Sequence, residues 1–239
     1  MNFYKRDSLL HLREPAIGRL NRIPIRECGE PLVCLRGISP RIRLKVPLPW
    51  ARKSVAEMLL KAASALPEGL FLVVSTALRS PRMQEKIYRR FLRSLRRKHP
   101  HWPPGVLARE ANRFLHPPKA LSPPGHSTGG AVDVALAYKN GRLLDMASSN
   151  RPGEKTWRTF HPCLTPKARA NRALLYSAMI EAGFSNCYEE WWHYSYGDSA
   201  WAARTGKPFA IYGSPAKLPS PLARLISHLE KKPPRPPRR

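Results

Sequence analysis

Residues 123–136, PPGHSTGGAVDVAL, set His126 just after a Pro-Pro-Gly turn and, seven residues later, place Asp133 inside an otherwise apolar run. The alternation from Ala131 onward predicts a strand over 131–138, with Val132, Val134 and Leu136 on one face and Ala131, Asp133 and Ala135 on the other. Alanines leave room beside the carboxylate. A buried anion without a partner costs on the order of several kcal/mol, so a cation must neutralise it. Two cations fit: an arginine, or a metal with His126 arriving from the glycine-rich loop at the strand's entrance.

The flanking segments build a small sheet around this strand. Asn140-Gly141 predicts a hairpin turn followed by a second short strand. Upstream, LFLVVSTAL (70–78) is apolar on both faces, as a central strand is, and runs into Arg79, Ser80 and Pro81. PWARKSVAEMLLKAASALPEG (49–69) carries Val55, Met58, Leu59, Ala62, Ala63 and Leu66 at helical spacing and stops at Pro67 and Gly69. From Pro81 a second helix is predicted, with Met83, Ile87, Phe91 and Leu95 inward and Arg89, Arg90, Arg93, Arg96, Arg97 and Lys98 outward. A short helix is expected over 104–115. Thr165 and Pro166 read as the N-cap and first position of a third long helix that Gly183 terminates. CYEEWWHYSY (187–196) reads as a late aromatic strand.

The fold class expected from these elements is α+β, a small and largely antiparallel sheet with helices packed on it. Residues 1–46 are expected to form an irregular arm packed on the domain, and 47–213 the domain itself. Residues 214–239, ending KKPPRPPRR, read as a basic, proline-rich tail without packed structure.

Composition narrows the function classes. The chain has 239 residues, 42% of them hydrophobic, enough for a well-filled core. Its 42 Lys and Arg against 16 Asp and Glu give a formal charge of +26, which favours weak contact with anionic polymers, wall-derived, lipid or nucleic acid. No run approaches the length of a membrane span, and the start MNFYKRDSLLHLREPAIG breaks any secretory signal at Arg13 and Glu14, so a cytoplasmic location is expected. Cys28, Cys34, Cys163 and Cys187 lack a C-x-x-C pair and read as reduced packing residues, with Cys28–Cys34 the one conceivable bridge.

The late strand adds Glu190 and His193 within EEWWHY (189–194). Residues three apart on a regular strand point to opposite faces, so Glu190 can reach the site of His193 only from before the strand proper or from a bulge. His126, Asp133 and His193 make a two-nitrogen, one-oxygen set suited to a catalytic zinc, one per chain, with Glu190 as the base. A salt-bridged aspartate, a surface glutamate and a packing histidine remain the plainer alternative.

HSTGGAVD, followed some sixty residues later by EEWWHYSYGD, resembles the D-alanyl-D-alanine dipeptidases of the vancomycin-resistance type and the wider zinc D,D-peptidase superfamily over roughly residues 45 to 212. The resemblance implies zinc ligands at His126, Asp133 and His193, a catalytic base at Glu190, and at Arg79 a guanidinium that stabilises the oxyanion. It departs from the family where Leu78-Arg79-Ser80-Pro81 replaces Tyr-Arg-Pro, and where Pro124 and Gly125 replace serines that help hold substrate. The acidic residue that meets the substrate's amine has no clear counterpart, Asp145 and Glu154 lying out of register. The implied activity is zinc-dependent hydrolysis of D-Ala-D-Ala or a related small D-configured dipeptide. The alternatives are a carboxypeptidase or endopeptidase acting on longer wall peptides, and a polyanion or nucleic-acid binder on a retired peptidase scaffold.

Overall fold

The computed structural model describes residues 14–113, 115–117, 120–151 and 153–231. In chain order the elements are α1 (Ile17–Leu20), β1 (Leu32–Cys34), β2 (Ile42–Leu44), β3 (Trp50–Arg52), α2 (Lys53–Ser64), β4 (Leu70–Thr76), α3 (Pro81–Lys98), α4 (Pro104–Ala111), α5 (Gly125–Thr128), β5 (Ala131–Tyr138), α6 (Pro166–Ala182), β6 (Ser185–Cys187), β7 (Glu190–Ser195), α7 (Ser199–Thr205) and α8 (Ser220–Lys231). Five strands form one sheet in the order β2-β4-β5-β7-β6, and β1 pairs with β3 apart from it. Only β2 and β4 run parallel, so the fold is α+β with a largely antiparallel sheet, as its sequence predicts.

Strand β4 is central because it can afford burial on both faces: Leu72, Val73 and Val74 are all buried between β2 and β5. On β5, Val132, Val134 and Leu136 enter the main core with Val55, Leu59 and Ala62 of α2 and Leu175 and Met179 of α6. Each large aliphatic side chain buried there contributes about 1.5–3 kcal/mol. Helix α6 starts where Thr165 accepts a hydrogen bond from the Ala168 amide (3.2 Å), and ends at Gly183 with φ 113°. Both helices lean on the Val132 face, which leaves the opposite face for Asp133.

Several segments differ from their sequence expectation. After Asn140-Gly141 the return strand shrinks to a single bridge between Ala137 and Leu143. The late strand divides into the hairpin β6–β7, turning at Tyr188 and Glu189. On α3 the buried residues are Gln84 and Tyr88; of the expected inward residues, Met83 packs half-buried on Leu32, Leu48, Leu78 and Leu222, Phe91 and Leu95 are half-buried, and Ile87 is exposed. The helix packs against polar loop groups, Tyr88 donating to Asn112 (2.7 Å) and Gln84 to the His116 carbonyl (2.9 Å), so its buried stripe is partly polar. The basic residues Arg89, Arg90, Arg93, Arg96, Arg97 and Lys98 are exposed, as expected. Helix α4 stops at Ala111, short of 115.

Within the described residues, the arm from 14 to 46 and the tail from 214 to 231 are more ordered than composition implies; residues 1–13 of the expected arm lie outside the described residues. Strand β2 joins the sheet edge. Buried Arg52 donates to both carboxylate oxygens of Glu27 (2.9 Å each), to the Glu30 and Gly213 carbonyls, and to the Thr128 carbonyl (2.8 Å). Farther out, Glu14 pairs with buried Arg204 and accepts from the Tyr188 amide (3.1 Å). Burial opposes the charge on Glu14, yet Arg204 outweighs it and holds the carboxyl below its usual range. In the expected tail, 220–231 is helical. Leu222 is fully buried against Leu32, Leu48 and Leu78, with Leu225, Ile226 and Leu229 packed alongside. That spacing is one helical face, masked in the sequence by the surrounding prolines and charge. Residues 232–239 lie outside the described residues. All four cysteines are free, and no described helix is long and apolar enough to cross a membrane.

Candidate functional site

His126, Asp133 and His193 meet on the sheet face opposite α2 and α6, each offering one donor atom within 4.8 Å of the others. Asp133 and His193 are direct cross-strand partners in the β5/β7 ladder. His126 comes from α5, a single turn that ends at Gly129 in the left-handed region (φ 76°), where a Cβ would collide with Leu32 at 2.5 Å. An irregularity in β4 completes the approach. Val74 pairs with Val134 and Thr76 with Asp133, leaving Ser75 as the extra residue of a bulge. The chain beyond it passes His126, whose carbonyl accepts from the Arg79 amide (3.0 Å).

The His126 tautomer tests whether a metal fits. Nδ1 faces two backbone carbonyls, Ala77 at 3.0 Å and Ala131 at 3.2 Å, and so carries the proton. Nε2 is then a bare lone pair 3.3 Å from Asp133 Oδ1. Two acceptors facing each other need a cation between them. A second proton on the ring would serve, but burial pushes this imidazole below its usual range. The same carboxylate oxygen meets His193 Nδ1 at 3.0 Å, and the two rings stand edge to face with centroids 4.9 Å apart. Two histidine nitrogens and a carboxylate oxygen converging on one point are a donor set suited to zinc. Burial would raise the Asp133 carboxyl, but the two histidines hold it well below the carboxylate range.

Glu190 is the first residue of β7, where the β6/β7 register shifts: Cys187 pairs with Glu190 but Asn186 with Tyr194. Of the two routes that its spacing from His193 allows, the structure takes the bulge, with Glu190 as the first residue of the strand and not before it. Burial raises the Glu190 carboxyl above its usual range, with Asp133 and Glu14 adding to the rise while His193 and Arg79 oppose it. It is therefore a better proton acceptor than a solvated glutamate. Arg79 lies in the fields of Asp133 and Glu190, and burial lowers its guanidinium from the ordinary value.

Gln84, which sequence reasoning missed, holds Arg79. Its Oε1 accepts from Arg79 Nη1 (2.8 Å), while its Nε2 donates to the His116 carbonyl (2.9 Å), so the amide is fixed at both ends. The available signal was a glutamine three residues after Pro81 on the first turns of a helix, five after the arginine. Ser80 caps the same helix and donates to Glu230 of α8 (2.6 Å).

The two acidic residues offered by the sequence for a substrate amine are engaged elsewhere. Asp145 accepts from the amides of Ala147 and Ser148, both 3.0 Å, in its own turn, and Glu154 faces His161 at 3.4 Å. Gly125 stands where the resembled family has a serine, and a Cβ there would come within 2.2 Å of Asp198 Oδ2. Asp198 caps α7 through the Trp201 amide (2.7 Å) and is buried, so it cannot swing away cheaply.

Residues 44–210 match the model of a family described as D-ala-D-ala dipeptidase. Among similar proteins is the D-alanyl-D-alanine dipeptidase of Escherichia coli (strain K12), 32% identical over 90 residues, 38% of this chain and 47% of that one. Another is the D-alanyl-D-alanine dipeptidase of Synechocystis sp., 32% identical over 93 residues, 34% of this chain and 38% of that one. The chain spans less than half the length of these relatives.

Proposed function

The chain belongs to the D-ala-D-ala dipeptidase family, and from that premise we propose that it is a zinc-dependent peptidase that hydrolyses D-Ala-D-Ala or a related D-configured dipeptide. The observation that carries the reading is the fixed His126 tautomer, which turns an unprotonated Nε2 toward Asp133 and calls for a cation shared with His193. Zinc bound there supplies Lewis-acid activation of water and of the scissile carbonyl.

The chain's own groups divide the remaining work. Glu190, half-buried and outside the donor set, accepts the proton of the attacking water and passes it to the leaving amine. Arg79, steered by Gln84, donates to the oxygen on which charge develops. The sheet keeps Asp133 and His193 in register, so little reorganisation accompanies the reaction.

The direct test is D-alanine release by the full chain loaded with zinc. Turnover of D-Ala-D-Ala that a chelator abolishes and zinc restores is expected. Release from longer peptides with the same terminus, in preference to the dipeptide, would move the substrate class to wall peptides. No release from either would overturn the peptidase reading.

A further inference from the structure

The strongest feature outside the site is the solvent face of α3. Lys86, Arg89, Arg90, Arg93, Arg96 and Arg97 are all exposed and recur at i, i+3, i+4 and i+7, which draws them into one stripe. It runs about 17 Å along the helix axis, at 1.5 Å per residue from 86 to 97. Among the described residues only Arg89 of these six has a carboxylate partner, Glu85 at 2.6 Å. Surface lysines and arginines set for solubility are ordinarily interleaved with acids; beyond Glu85 at its start this stripe is not, and five of its six members are arginine, whose planar fork matches phosphate.

A second observation lies at the stripe's C-terminal end. Just past the last turn, Trp102 stacks on His99 with centroids 3.8 Å apart and an interplanar angle of 9°. The indole remains 37% exposed, so a braced aromatic pair keeps part of its surface open to solvent. A positive track that ends at an exposed aromatic has the two parts of a single-strand binding surface: charge for the backbone and a π-face for a base. A lipid surface also takes up tryptophan at its interface, so vesicle binding that falls with Trp102→Ala while RNA binding does not is the outcome that would name a membrane instead.

We infer that the α3 stripe and the His99–Trp102 pair form a binding surface for single-stranded nucleic acid, separate from the metal donors. The phosphates lie along the arginines and one base stacks on Trp102. The probe is a fluorescein-labelled single-stranded RNA, titrated into the full chain at several salt concentrations, with heparin resin and phosphatidylserine vesicles as base-free polyanions. Arg93→Ser with Arg97→Ser should lower the slope of log affinity against log salt by about 1.4, at roughly 0.7 per lost phosphate contact.

Trp102→Ala should weaken RNA binding roughly tenfold, as loss of one stacked base does, and leave heparin retention unchanged. Trp102→Phe, which keeps a stacking face, should recover most of the loss. Equal effects of Trp102→Ala on RNA, heparin and vesicles, or none on RNA, would reduce the surface to non-specific polyanion contact and overturn the inference. So would an RNA affinity indifferent to the arginine changes.

Discussion

Two clusters in this protein bring a histidine to a carboxylate with a third donor beside them, and they differ in where the proton sits. In the sheet cluster, His126 Nδ1 is turned to backbone carbonyls, and its other nitrogen meets Asp133 without a hydrogen. In the loop cluster of Glu154, His161 and Cys163, the Cys163 amide donates to His161 Nδ1 at 3.3 Å. The proton of that ring then belongs on Nε2, which faces Glu154 Oε1 at 3.4 Å. In the loop cluster a single ring proton suits the partners of both His161 nitrogens, although Glu154 Oε2 is left without a hydrogen-bond partner among the described residues; in the sheet cluster the single His126 proton is spent on the backbone carbonyls. Proximity of donor residues thus selects both clusters, and the tautomer imposed by backbone partners selects one.

The surroundings sharpen the contrast. Glu190 and Arg79 stand in the field of the sheet cluster as an extra carboxylate and an extra cation. A centre built only for stability closes its ligand set and has no need of either.

The largest effect should be on metal content. Elemental analysis of His193→Ala is expected to fall from one zinc per chain to nearly none, since losing one of three protein ligands severely weakens binding. Cys163→Ser should stay at one. Zinc lost from Cys163→Ser and kept in His193→Ala would exchange the roles of the two clusters.

Next in size is Glu190→Ala, expected to keep its zinc while kcat falls about a hundred- to ten-thousand-fold. Glu189→Ala is the neighbouring control, its carboxylate being occupied with Arg158 at 3.0 Å. Near-normal kcat in Glu190→Ala with zinc bound would remove Glu190 from proton transfer.

The smallest effect separates Gln84 from the reacting groups, because Gln84 acts through Arg79. Gln84→Leu removes one hydrogen bond to a charged group, a loss of about tenfold or somewhat more, and it should fall on kcat with KM little changed. Gln84→Glu, which keeps an acceptor for the guanidinium, should restore part of the rate. If Arg79→Lys is crippled and Gln84→Leu is not, Arg79 is aimed by something other than Gln84.

How legible these features were in the sequence follows the range of the interactions behind them. The strand carrying Asp133, the central strand at 70–76 and the helices closing at Ser64 and Gly183 depend on local alternation, capping and turn residues, all readable from neighbours. That His126, Asp133 and His193 lie together was legible only in part from the buried acid, which an arginine could also have neutralised, and more from the HSTGGAVD and EEWWHYSYGD segments taken as a pair. Gln84 was not: its inward position is set by Arg79 and by the His116 carbonyl from a distant loop. The same holds for α8, whose apolar face has meaning only once Leu48 and Leu78 are there to receive it. Cationic Arg52 and Arg204 are buried because Glu27 and Glu14, far away in sequence, neutralise them.

The bond from Ser80 to Glu230 joins residues 150 positions apart, and this separation has a kinetic consequence. Loop-closure entropy grows with chain length, by about 0.6 kcal/mol per doubling, and contacts of high sequence separation form late. The pairing of β4 with β5 closes a much shorter loop and can precede it. Helix α8 has only one fully buried side chain, Leu222, with Leu225, Ile226 and Leu229 half-buried beside it, so it is expected to detach in local openings well below the cost of global unfolding. The segment around Arg79 would then exchange its amide hydrogens faster than the sheet that carries Asp133 and His193, and the Arg79 side of the cluster would come and go while the Asp133–His193 side stays assembled.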